Sequence, residues 1–173
     1  MPGWTPKYAH VDLEIGESAA LLSVWPDIEI ILCQFHLYQC WKKKANEYLI
    51  WKYFLNSKTC TGQFWLALRG SSFLDLSDVV LCKMVIDILR QLVQSTKEKG
   101  EQSAKKLSDY FENYLMPYYF DTESKRANCY HPRQWASKYN KEIQNERFLM
   151  TTNSCESMHA ELRLITFYTV CYK

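Results

Sequence analysis

Tyr8-Ala-His-Val-Asp12 and Ile28-Glu-Ile-Ile-Leu-Cys33 are two short runs that read as strands, and Glu14 to Val24 between them has helical spacing. Ile15, Ala19, Leu22 and Leu21 fall on one side of that helix. Pro26 ends it, because the residue before a proline is pushed out of helical space. Ile28 to Leu32 is nearly all apolar, which predicts a strand buried on both faces. Strand, helix of about 11 residues, strand is a βαβ unit, so the two strands should pair in parallel. Two strands seldom make a stable sheet alone, so this unit calls for further partners.

After Cys33 the pattern is helical to the end. Phe35 to about Leu55 reads as one long amphipathic helix with Leu37, Trp41, Tyr48 and Trp51 as large apolar positions. Gln63 to Leu68 is a shorter helix, broken at Gly70-Ser-Ser. Asp75 to Gln94 is strongly periodic in Leu76, Val79, Val80, Met84, Ile88 and Val93. Thr96 to Gly100 reads as a polar turn. Gln102 to Tyr114 reads as a helix stopped by Pro117, followed by an irregular polar stretch from Asp121 to Arg133 and a short helical piece at Trp135. Asn153 or Ser154 should cap a last helix running to about Phe167.

The bulk numbers fit a folded chain. The 173 residues carry 21 basic and 19 acidic side chains, 47% hydrophobic and 15% aromatic residues, and five each of Gly and Pro. That excludes a disordered tail, a collagen-like repeat and a histone-like polycation. The first 32 residues hold only Lys7 against five acids, which leaves 20 basic and 14 acidic residues in the remainder, a local balance of +6. Met1-Pro-Gly-Trp-Thr-Pro does not read as a signal peptide, and no apolar run approaches the roughly 20 residues of a membrane span. Seven cysteines, an odd number without a secretory signal, read as reduced thiols. A nuclear or cytoplasmic location is the expectation.

Four groups of residues could carry chemistry. Asp12 sits at the carboxyl end of a parallel strand, where open α/β sheets bind ligands; a plain strand-ending role fits the same position. Cys33-x-x-His36 offers two of the four ligands of a structural zinc site. The other two could come from Cys129 and His131, or from Cys40 and another residue; buried packing is the competing reading. Asn153 to Arg163 places Glu156 and His159 on one helix face, although an acid in a first helical turn is also favoured by the helix dipole. Lys42, Lys43 and Lys44, interleaved with Trp41, Tyr48, Trp51 and Tyr53, could contact DNA phosphates or form a solvated face over an aromatic stripe.

Together these pieces resemble the Mutator-like (MULE) transposase domain. Pro6 to Glu14, Ala19-Ala-Leu-Leu-Ser-Val-Trp-Pro26 and Leu32-Cys-Gln-Phe-His-Leu-Tyr-Gln-Cys-Trp41 match its strand-D-x-E, helix-wP and C-x-F/W-H segments. Trp135, Thr152-Asn153, Glu156-Ser157 and Leu162-Arg163 match its W…TN…ES…LK end, with His159 and Arg163 where members often have Asn and Lys. The resemblance implies an α/β, mostly helical chain with a partial ribonuclease H-like core. Residues 1–34 would be strand-helix-strand, 35–150 a large all-α insertion and 151–173 the last core helix. It implies Asp12 and Glu156 as catalytic carboxylates that hold Mg²⁺ in the full-length parent, and transposon-end DNA as its partner. Cys33 and His36 would be local or zinc-binding. The first catalytic Asp of that fold belongs upstream of Asp12, where no acidic residue stands. The chain is therefore expected to be a truncated transposase, inactive alone. A non-catalytic DNA- or protein-binding helical module, and a helical zinc protein, are the other readings.

Overall fold

The computed structural model describes residues 6–13, 15–74, 76, 78–121, 130 and 132–136. The chain is mostly helical with a two-stranded parallel sheet. β1 (Tyr8–Val11), α1 (Ile15–Val24) and β2 (Glu29–Leu32) form the βαβ unit, with Tyr8 opposite Glu29 and Val11 opposite Leu32. Among the described residues seven further helical elements come after it. They are α2 (Gln34–Glu47), α3 (Trp51–Phe54), α4 (Cys60–Ser71), α5 (Val79–Glu98), α6 (Ala104–Tyr110), a π-helical stretch (Phe111–Phe120) and α7 (Pro132–Trp135). One hydrophobic core runs from Val11, Ile30 and Leu32 of the sheet into Leu37 and Trp41 of α2 and on to Phe64, Leu89 and Phe111. The expected helix from Asn153 or Ser154 lies outside the described residues.

Several expectations are corrected. The strand Ile28–Leu32 is not buried on both faces: Ile30 and Leu32 are buried, Ile31 is half-buried and Glu29 is exposed. Among the described residues the sheet has two strands, and α1 covers it thinly, with Ala19 and Leu22 exposed and Leu21 packed against the core. α7 lies against β2.

The long helix expected from Phe35 to Leu55 is two helices. Leu49 adopts φ 55°, a left-handed conformation costly for a residue with a Cβ. Leu49 N–H and Ile50 N–H bond back to the Asn46 and Ala45 carbonyls at 2.9 Å each, which closes α2. The break drops Ile50, 0% exposed, into the core and redirects Trp51 and Phe54 inward as α3. No Gly or Pro marks this point, so local sequence could not signal it.

α5 is helical but presents a different face from the one expected. Cys82, Val85, Leu89, Val93 and Thr96 face inward, whereas Val79, Val80, Met84 and Ile88 are exposed. The helix carries two apolar stripes, and packing against α4 selects one of them. Its start is set by Asp78, whose carboxylate accepts from Val80 N–H at 2.8 Å and Leu81 N–H at 3.2 Å. Thr96 is buried within the helix, so the turn comes later, at Gly100 with φ +62°.

Pro117 does not stop its helix. α6 widens into the π-helical stretch that contains Pro117 and buries Phe111, Leu115, Tyr119 and Phe120. Phe111, Leu115 and Tyr119 recur every fourth residue, and Phe120 adjoins the last of them.

A carboxylate from the α5–α6 connection caps α4. Glu101 Oε1 accepts from Cys60 N–H at 2.8 Å, and Oε2 accepts from Thr61 Oγ1 at 2.6 Å and Thr61 N–H at 3.3 Å. Burial pushes the Glu101 carboxyl up, but the hydrogen bonds from Thr61 and Cys60 outweigh it and hold the group below the usual glutamate value. The folded value is thus lower than the unfolded one. Its stabilisation is present above the unfolded value near 4.3 and is lost as pH falls through the lowered folded value. Glu101→Gln is expected to cost about 1 kcal/mol at pH 7 by urea denaturation, with the gap from wild type closing below pH 4.

Candidate metal centre

The parallel register brings together residues that are distant in sequence. Cys33 N–H donates to the Val11 carbonyl at 2.8 Å, one step beyond the paired Val11 and Leu32. Asp12 and Cys33 therefore leave neighbouring strands side by side. Cys33 is also the N-cap of α2, and its carbonyl accepts from Leu37 N–H at 2.9 Å. Three residues on, His36 stands one helical turn away on the same end of α2. The carboxylate of Asp12, the thiol of Cys33 and the imidazole of His36 each offer one ligand atom, and these atoms all lie within 4.8 Å of one another.

His36 Nδ1 lies 2.8 Å from Asp12 Oδ1, with the side chains 24% and 40% exposed. Cys33 is fully buried. The sulfur thus forms the floor of the cluster, while the carboxylate and imidazole open to solvent. His10 lies two residues before Asp12 on the same strand face. Burial holds the His10 imidazole below the ordinary histidine value and His36 adds to this, while Asp12 and the Leu32 backbone pull it upward. A carboxylate–imidazole pair over a thiol is an O, N, S donor set able to hold a metal ion.

The motifs taken singly keep Asp12 apart from Cys33 and His36 and pair it with Glu156. The fold joins Asp12 to Cys33 and His36. Glu156, Cys129 and His131 lie outside the described residues. The signal that could have found the join is the equal distance of Asp12 and Cys33 from the ends of two parallel strands. The proximity of His10 has an equally simple signal, its i, i+2 relation to Asp12.

The three lysines have different surroundings. Gln34, Leu37, Trp41 and Ala45 are buried and fix the orientation of α2. Consecutive residues then point about 100° apart around the helix. Lys42 lies over the Trp51 ring at 5.0 Å, Lys43 is exposed, and Lys44 pairs with Glu47 at 2.6 Å and lies 5.7 Å from the Tyr114 ring centre. Cys40, Cys60 and Cys82 are free thiols. Clefts of about 260 and 380 Å³ flank Pro26, Asp27 and Ile28 at the amino end of β2, away from the cluster. Among the described residues no helix is long and apolar enough to cross a membrane.

No protein-family model, curated protein or solved structure matches the chain.

Proposed function

We propose that the chain is part of a Mutator-like transposase domain and acts on DNA. In this reading β1, α1 and β2 are the second half of a ribonuclease H-like core and the helices beyond them are its insertion. The observation that carries it is the parallel pairing of two strands across a ten-residue helix, with Asp12 at the carboxyl end and Cys33-x-x-His36 opening the next helix.

Two-metal phosphodiester chemistry needs hard oxygen ligands. Among the described residues the cluster supplies one, Asp12, with nitrogen and sulfur beside it. That set does not fit Mg²⁺. The reaction belongs to a longer parent that supplies a further strand-ending Asp, with Glu156 as the third carboxylate.

The test is a plasmid-nicking assay with Mg²⁺. The chain alone is expected to leave supercoiled DNA intact. The same chain expressed behind its in-frame upstream coding sequence is expected to nick it, and Asp12→Ala there is expected to slow nicking by about 100-fold or more. Upstream sequence without a strand-ending Asp, or an inert Asp12→Ala, would overturn the reading.

A second reading, a DNA-binding helical module, is favoured by the exposed Lys42 and Lys43 on α2, with Lys42 over the Trp51 ring of α3. Fluorescence anisotropy with duplex DNA is then expected to show salt-dependent binding that Asp12→Ala leaves unchanged. Lys42→Ala with Lys43→Ala is expected to lower the slope of log K against log salt by roughly one to two. A slope indifferent to the lysines would dismiss it.

A further inference from the structure

We propose that Asp12, Cys33 and His36 bind one Zn²⁺ ion, with water in the fourth position. This inference does not depend on the transposase reading, and it concerns an ion that the transposase chemistry does not use.

Donor chemistry comes first. A thiolate and an imidazole favour a borderline-soft ion, and one carboxylate completes a three-ligand set of the kind found where zinc keeps an open site. Charge agrees. A carboxylate and a thiolate balance a divalent cation, so the bound cluster is neutral, which suits the fully buried Cys33. Its N-cap position on the 14-residue α2 adds a favourable dipole for the thiolate.

The geometry agrees as well. Tetrahedral zinc with bonds of about 2.0–2.3 Å sets its ligand atoms roughly 3.3–3.8 Å apart. The present ligand atoms lie within 4.8 Å of one another, and the Asp12–His36 approach is 2.8 Å. The present separations thus differ from those of a bound ion by about 1 Å at most, the scale of side-chain adjustment. Fixity comes from the strand register for Asp12 and Cys33, and from the first turn of α2 for His36. The partial exposure of Asp12 and His36 leaves the fourth position facing solvent. Zn²⁺ held there would occupy the Asp12 carboxylate and so withhold it from Mg²⁺.

The test uses the untagged full chain, stripped of metal and titrated with Zn²⁺ and with Co²⁺ as a spectroscopic substitute. One equivalent of Zn²⁺ is expected to resist dialysis, and Co²⁺ is expected to give tetrahedral d–d bands with a thiolate charge-transfer band. Millimolar Mg²⁺ is expected to displace neither ion. His36→Gln is expected to weaken Zn²⁺ binding by roughly 100-fold, since even changes to groups that only orient a ligand cost 10- to 100-fold. Cys33→Ser is expected to abolish the charge-transfer band while the far-ultraviolet circular dichroism stays that of the parent. Should Cys33→Ser fail to fold, Asp12→Asn, at a more exposed position, supplies the same affinity loss. Absence of a bound equivalent in the wild type overturns the proposal. So does binding that is unchanged in His36→Gln but lost in Cys129→Ser, which would put the ion elsewhere.

Discussion

Trp41→Ala is expected to lower the free energy of unfolding by about 4 kcal/mol. Trp41 is fully buried on α2, and its ring meets Trp135 at 5.6 Å, Tyr38 and Tyr119 at 5.7 Å and Trp65 at 6.5 Å between centroids. Three other elements, α4, the π-helical stretch and α7, therefore converge on one side chain of α2. The Trp41 carbonyl also accepts from the Tyr110 hydroxyl at 3.2 Å, a backbone tie that the mutation leaves in place. Truncation opens a cavity and removes edge-to-face contacts worth about 0.5–1.5 kcal/mol each, which share atoms and do not simply add. The loss approaches the entire stability of a typical domain, about 5–15 kcal/mol. Trp41→Phe should cost much less, about 1 kcal/mol. Among the described residues the buried Trp41 Nε1 has no hydrogen-bond partner, so the smaller ring also removes an unsatisfied donor. Urea midpoints for the two variants check the ordering. A Trp41→Ala loss under about 1 kcal/mol would show that the aromatic cluster is not the centre of the core.

Gly62→Ala is expected to cost about 3 kcal/mol although it adds a single methyl group. Gly62 lies in the first turn of α4 against the preceding loop. A Cβ there would run into the carbonyl of Asn56 and the Cα of Ser57, all of it backbone that no rotamer change can clear. The same loop caps the helix: Thr59 Oγ1 accepts from Gly62 N–H at 3.0 Å and donates to the Asn56 carbonyl at 2.8 Å. Pushing the loop aside to admit the methyl group loosens that cap as well. Gly70→Ala, at a helical position with open space around the added carbon, should be neutral or slightly stabilising and serves as the control. Equal thermal midpoints for the two variants would refute the close approach.

How far the sequence reaches depends on the distance over which each decision is made. β1 and β2 are legible because two short runs, the second nearly all apolar, flank a helix that Pro26 must end. Their parallel pairing follows from the length of the crossover. The break at Leu49 is not legible, because a left-handed Leu is imposed by burying Ile50 and turning Trp51 and Phe54 inward. Nor is the passage through Pro117, where the buried Phe111, Leu115, Tyr119 and Phe120 make i→i+5 winding worth adopting. At the candidate centre Cys33 and His36 are visible as a pair, since their spacing is local. The third member, Asp12, lies 21 residues before Cys33 and reaches it only across the strand register.

Residue order alone determined the βαβ unit, the helical character of the described residues beyond Cys33 and the identity of the donor-bearing side chains. All three rest on spacing, on proline's fixed φ and on side-chain chemistry, which act within a few residues. Tertiary structure alone decided which apolar stripe of α5 faces inward, where the long helix breaks and that Asp12 stands with Cys33 and His36. The physical reason is that burial and strand register are properties of two elements at once: α5 offers two apolar faces until α4 occupies one, and Asp12 has no thiol beside it until β2 pairs with β1.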